Sequence, residues 1–182
     1  SGLHMAAVYA EPIHYAQDGK WVDIDNTLKL DSTGKVYTNT AGVWNVCLPQ
    51  QLTKTNAVSV TKDGYTLSFA PAGELRASGD LQTQSMGLTA QTETLSTTAM
   101  TSSSAQVMAI QREETDGLTL EKLQSRLQYT GVFNNTNIVY DLQGSRLKES
   151  IVMSSYSSTL RGYRYTLNTD GMIPVLAKSG RI

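Results

Sequence analysis

This chain has little of what most chemistry needs: one cysteine, two histidines, and charged residues at only 17% of the sequence. A single thiol, Cys47, rules out an intrachain disulfide framework. In the run WNVCLPQ, strand alternation places Cys47 opposite Trp44, Val46 and Leu48, where a small packing residue is expected. No apolar run approaches the roughly 20 residues that a helix needs to cross a bilayer, so no membrane span is expected. Lysine and arginine number 15 against 16 acidic residues and form no cluster. That balance argues against nucleic-acid binding, which needs a local excess of cations. His4 falls in the opening SGLHM, which reads as a cloning scar over residues 1–5. His14 is then alone, without zinc-ligand spacing and without a GxSxG turn, so neither a zinc site nor a serine triad is expected. The expectation is a non-enzyme with no cofactor and no metal.

What the chain has is alternation. Its 182 residues suffice for one domain with an unstapled core. Ile13 and Tyr15 share a face, Gln17-Asp18-Gly19 turns, and Val22 and Ile24 return opposite Trp21. Leu28 to Leu30 and Lys35 to Tyr37 flank a turn at Ser32-Thr33-Gly34. Trp44, Val46 and Leu48 make the next strand, ended by Pro49. Val58 and Val60 lead into Lys62-Asp63-Gly64, and Tyr65, Leu67 and Phe69 come back. Asp-Gly between alternating residues is a strong hairpin signal. Pairs recurring about every ten residues predict an all-β, mainly antiparallel, sandwich-like domain.

The stretch from about 80 to 106 differs. It has no aromatic residue, no lysine or arginine, and no clean period, so it reads as a mobile, Ser/Thr-rich loop, with a ragged edge strand as the alternative. The expected organisation is one β domain over 6–182. A split into 6–79 and 107–182 is the alternative.

Strands then resume with Val107 to Gln111. Leu120, Leu123 and Leu127 have helical spacing, while Ser125 to Tyr129 alternates, so helix and strand compete there. Asn134 to Asn137 reads as a loop. Ile138, Tyr140 and Leu142 share a face. Gln143-Gly144-Ser145 turns, and Leu147, Glu149, Ile151 and Met153 return. Tyr163, Tyr165 and Leu167 form the last clear strand.

At these residues a resemblance enters. The run EPIHYAQDGKWVDIDNTL resembles a stretch near the N-terminal β modules of RHS/YD-repeat and wall-associated-type secreted proteins of Gram-positive bacteria. The runs VFNNTNIVYDLQGSRLKESIVMSS and YRYTLNTDGMIPVLAKSGRI resemble a later part of the same region. Together the likeness spans about 8–70 and 120–182, and the YD repeats themselves are absent. The resemblance implies a non-catalytic structural or adhesive module of a larger exported protein, extracellular or wall-associated. Its implied partners are neighbouring domains of the same polypeptide, and glycans. The abundance of uncharged polar residues accords with that setting.

Four sets of side chains are candidates for chemistry. Asp23 and Asp25 leave one strand face beside Trp21, an arrangement that suits acid/base work or calcium less well than an ordinary solvated face. Glu149 shares a face with Leu147 and Ile151, and an inward carboxylate must find a partner. An arginine or lysine of a neighbouring strand is expected, or else a Lys–Asn isopeptide bond with Glu149 as its acid. The aromatics are the best binding candidates, because sugar rings stack on aromatic planes. Trp21, Trp44 and Tyr37 are the expected ligand-binding residues, with Tyr9, Tyr15, Tyr163 and Tyr165 behind them. A carbohydrate-binding module is therefore the alternative function, and a fragment of a secreted hydrolase the second.

Overall fold

A computed structural model of the chain describes residues 11–53, 55–76, 81–82, 88–93, 120–175 and 177–179. Its strands in chain order are β1 (His14–Gln17), β2 (Lys20–Asp23), β3 (Asp25–Leu30), β4 (Val36–Ala41), β5 (Asn45–Pro49), β6 (Gln51–Leu52) and β7 (Val58–Lys62). There follow β8 (Tyr65–Arg76), β9 (Leu81–Gln82), β10 (Leu88–Glu93), β11 (Gln124–Phe133), β12 (Thr136–Gln143), β13 (Arg146–Met153) and β14 (Leu160–Asn168). Every pairing among them is antiparallel.

Two larger sheets face each other. One is ordered β14-β8-β7-β5-β4-β3, with β9 added to β8, and the other β13-β12-β11-β10-β6. The hairpin β1–β2 stands apart as a two-stranded sheet. The all-β, antiparallel, sandwich-like class expected from alternation is what the chain adopts. Strands from before and after 80–106 share both larger sheets: β14 joins the first half's sheet, and β6 joins the second's. Within that stretch Leu81–Gln82 and Leu88–Glu93 are strands, and β10 lies between β11 and β6. The rest of the expected loop lies outside the described residues, as do the apolar run Val107 to Gln111 and Leu118.

The hairpins form where the sequence asks for them. Asp18-Gly19 and Asp63-Gly64 all have positive φ, the geometry of a two-residue turn matched to strand twist. At the β3–β4 turn, Asp31 accepts from the Thr33 hydroxyl at 2.8 Å and from the backbone of Lys35 at 3.0 Å. These donors hold the Asp31 carboxyl below its ordinary pKa, the Thr33 hydroxyl most of all.

One open choice is decided and two sequence expectations are corrected. First, Leu120–Leu123 forms one 3-10 turn and β11 then runs from Gln124, so the two competing readings each hold for part of the segment. Second, the Asn134–Asn137 loop shrinks to Asn134-Asn135, with Asn135 left-handed at φ 55°. Thr136 already belongs to β12, buried with its hydroxyl 3.0 Å from Tyr163 Oη. Third, Ile151 and Met153 are not core residues. Their strand is the sheet edge, and they remain 37% and 51% exposed.

Inside, Leu127, Tyr129, Ile138, Tyr140 and Leu142 of one sheet meet Val46, Leu48 and Val58 of the other. Tyr129 and Tyr140 pack edge to face at 5.9 Å, and Phe133 stacks on Tyr163 at 5.0 Å. Burying each large apolar side chain contributes about 1.5–3 kcal/mol. The Tyr129 hydroxyl is not wasted in this core: it donates to the Pro49 carbonyl at 2.6 Å.

One buried polar side chain ties distant elements together. Val22, Ile24 and Asn26 share the inward parity, so Asn26 enters the interior at 3% exposure. Its amide donates to the Leu123 carbonyl at 2.9 Å and to the Gly144 carbonyl at 2.8 Å. The Gly144 N–H also donates to the Leu123 carbonyl, at 3.0 Å. Gly144 itself has φ +51°, and a Cβ there would lie 3.0 Å from Glu11 Cβ and 3.2 Å from the Pro12 carbonyl. Asn26→Ala strands the Gly144 carbonyl in the interior. A loss of about 1–3 kcal/mol is expected in urea unfolding, with an unchanged denaturant slope. A loss no larger than that of Asn45→Ala, an exposed control, would show that the staple does not hold.

Candidate functional site

A recess among the described residues follows from the strand rows. On β7 the inward residues are Val58, Val60 and Lys62, and on β8 they are Phe69, Leu67 and Tyr65, paired in that register. Burial falls along both rows, from Val58 in the core to Lys62 and Tyr65 at the surface. The opposing sheet presents its edge strand β13 there, so the layers do not close. A cleft of about 580 Å³ results, floored by Val60, Leu67, Phe69 and Leu147, with Trp44, Tyr65 and Met172 on its walls. Lys62, Ser145, Arg146 and Glu149 supply its polar boundary.

Trp44 is the best-positioned of these residues. It precedes β5 rather than lying in it. Asn39 shapes its turn, donating from Nδ2 to the Trp44 carbonyl at 2.9 Å and accepting from Val46 N–H at 2.8 Å. The indole Nε1 donates to the Ser145 carbonyl at 3.0 Å, bridging the two sheets. Lys62 Nζ lies 5.0 Å from the ring centroid, a cation–π contact.

The ionisable groups around the cleft are engaged with one another. Glu149 accepts from Tyr140 Oη at 2.5 Å. Tyr140 stands opposite Glu149 on β12, so the partner is a tyrosine hydroxyl and not the arginine or lysine expected. Arg146 pairs with Glu11. Tyr165 Oη is buried with no hydrogen bond of good geometry, although the Glu149 carboxylate lies near enough to act on it. Burial first, and Glu149 second, raise the pKa of both Tyr140 and Tyr165. Burial, with Tyr37 a smaller cause, raises that of Tyr129.

The other sequence candidates scatter. Trp21 sits on β2 at 78% exposure and does not line the cleft. Tyr37 is half-buried on β4 and packs against the core cluster. Of the three aromatics singled out, the cleft takes Trp44 alone. Asp23 pairs with His14 at 2.9 Å on the exposed hairpin, whereas Asp25 caps Thr27 N–H at 3.0 Å, so the two carboxylates serve separate ends. Cys47 is half-buried, its Sγ 3.8 Å from Asn45 Oδ1. No group of three or more His, Cys, Asp or Glu suited to a metal occurs among the described residues. No helix among them is long and apolar enough to cross a membrane.

Sequence reasoning placed Lys62 in a turn and Tyr65 and Phe69 on a strand without seeing a site, whereas Lys62 ends β7. The available signal was parity: one hairpin row passes from Val58 through Val60 to a lysine, which marks where a core face meets water. Comparison with protein-family models, curated proteins and solved structures found no match to this chain.

The raised tyrosines make a pH prediction. Unfolded tyrosine releases its proton near 10.0, whereas folded Tyr129, Tyr140 and Tyr165 hold theirs to higher pH. Above pH 10 the unfolded state therefore binds fewer protons, and native stability falls as pH rises. Below that pH their contribution is complete and flat. Alkaline titration followed by tyrosinate absorbance should show a late fraction that ionises together with loss of near-ultraviolet dichroism. Reversible titration of all nine tyrosines in the native state would contradict this packing.

Proposed function

We propose that this chain is a non-catalytic module of a larger exported, cell-surface protein, with a structural or adhesive role toward neighbouring domains of the same polypeptide. The observation that carries this reading is the state of the cleft's ionisable groups. Glu149 is taken by Tyr140, Arg146 by Glu11, and Lys62 lies over Trp44. Proton transfer needs a group within reach of the substrate and free to change its charge. Groups satisfied by each other instead shape a recess that holds an apolar surface. The resemblance at Glu11 to Leu28 and at Val132 to Ser155 supports the exported setting.

A second reading has its own support. Trp44 is 38% exposed and Tyr65 61% exposed on the walls of one cleft. A sugar ring stacked there would meet aromatic faces with polar groups at the margin, the pattern of a carbohydrate-binding module.

Two measurements separate these readings. The chain incubated with plant, host and bacterial-wall polysaccharides is expected to release no new reducing ends. Steady release abolished by Glu149→Gln would overturn the non-catalytic reading. On a glycan array of the same polysaccharides, the structural reading expects no binding. Binding by the wild type and by Trp21→Ala, lost in a folded Trp44→Ala variant, would favour the sugar reader.

A further inference from the structure

The side of the sandwich beside the cleft is open along a strand edge. Among the described residues, β13 pairs with β12 and with no other strand. The β12–β13 hairpin has a two-residue turn, Gly144-Ser145, so Gln143 and Arg146 form its first hydrogen-bonded pair. Bonded and unbonded pairs then alternate. Continuing that alternation to the far end agrees with Ser154 N–H, which donates to the Asn135 carbonyl at 2.8 Å. The backbone groups of Leu147, Glu149 and Ile151 therefore point away from β12, toward the free edge. Their side chains lie on the cleft face, and Leu147 and Glu149 line the cleft itself.

We propose that this edge and cleft together bind an extended peptide strand of a partner protein, with aliphatic residues at alternate positions and acidic residues between them. Backbone groups of Leu147, Glu149 and Ile151 complete the ladder, and the aliphatic side chains enter the cleft. Its floor is apolar and continuous with the core, so each methylene placed there leaves water for packed surface. Ile151, Val152 and Met153 form an exposed apolar run on the same strand, 37%, 47% and 51% accessible, that such a strand would partly cover.

Charge selects the partner. The outward face of β13 carries two cations, Lys148, which is exposed, and Arg146, which already pairs with Glu11. Acidic residues on the added strand's outer face fall opposite these cations, where cross-strand pairs of opposite sign are favourable. Lysine on an edge commonly deters unselected pairing, so Lys148 admits an acidic strand while resisting a basic one. A second copy of this chain fits poorly, because antiparallel pairing centred on the three outward-bonding residues Leu147, Glu149 and Ile151 opposes two Glu149 carboxylates.

This inference rests on the non-catalytic reading and names the kind of partner it implies. The probe is a synthetic peptide of eight residues, the length of β13, with valine at alternate positions and aspartate or threonine between. Saturable binding is expected, with slowed amide exchange at Leu147, Glu149 and Ile151. The same peptide methylated on its alternate, ladder-forming amides should bind roughly tenfold or more weakly, having lost edge hydrogen bonds. Ile151→Pro deletes an outward N–H while sparing the β12 ladder, and should weaken binding comparably. Lys148→Gln removes the charge at an exposed position without setting a second carboxylate opposite Asp141, and should weaken it too, providing a second test if the proline variant does not fold. Equal affinity for the methylated peptide, unchanged exchange at those three amides, tighter binding of a lysine-substituted peptide, or self-association through β13 would each overturn the proposal. Absence of peptide binding, with no polysaccharide turnover, would sink this inference alone and leave the broader reading standing.

Discussion

The amide of Asn26 ties the start of β3 to two parts of the chain about a hundred residues further on. It donates to Leu123 and Gly144, 97 and 118 positions away. Buried carbonyls without partners are costly, so these two bonds fix the β12–β13 turn against the start of β3. Glu11 and Pro12 close over the same turn, which only a residue without Cβ can occupy in that conformation. The next residue, Ser145, accepts the Trp44 indole. The wall of the cleft is thus set by a buried asparagine on a strand that does not line it.

The cleft itself is the core continued past the point where the two layers match. Val58 opposite Phe69 is interior, Val60 opposite Leu67 is half-covered, and Lys62 opposite Tyr65 reaches water. The same surface is a core at one end and a recess at the other, because the facing sheet stops at β13. Mixed strand membership adds to the interlock. With β14 in one sheet and β6 in the other, closing the sandwich requires contacts of long sequence separation.

Much of the fold was legible. Asp18-Gly19, Asp63-Gly64 and Gly144-Ser145 marked turns because few residue types tolerate the required φ. The inward rows Val22–Ile24 and Ile138–Tyr140–Leu142 followed from a period of two. The site was less legible. Trp44 was visible as an aromatic, but aromaticity does not separate a cleft wall from core, as Tyr37 illustrates, or from an exposed hairpin, as Trp21 does. Asn26 carried no local signal, because its two acceptors, Leu123 and Gly144, lie about a hundred residues away. Glu149 was seen to need a partner, and the register that put Tyr140 opposite it supplied an uncharged one. Ile151 and Met153 matched the inward pattern, yet parity gives only the face, and burial depends on what the face meets.

The sequence by itself determined the local geometry: where the chain turns, which side chains share a face, and that the pairing is antiparallel. These depend on backbone sterics and a two-residue repeat, both properties of neighbours in the chain. Tertiary structure alone decided sheet membership, which row stays dry along its whole length, and which strand is left at an edge. Those outcomes turn on contacts between residues far apart in sequence, and no local period records them.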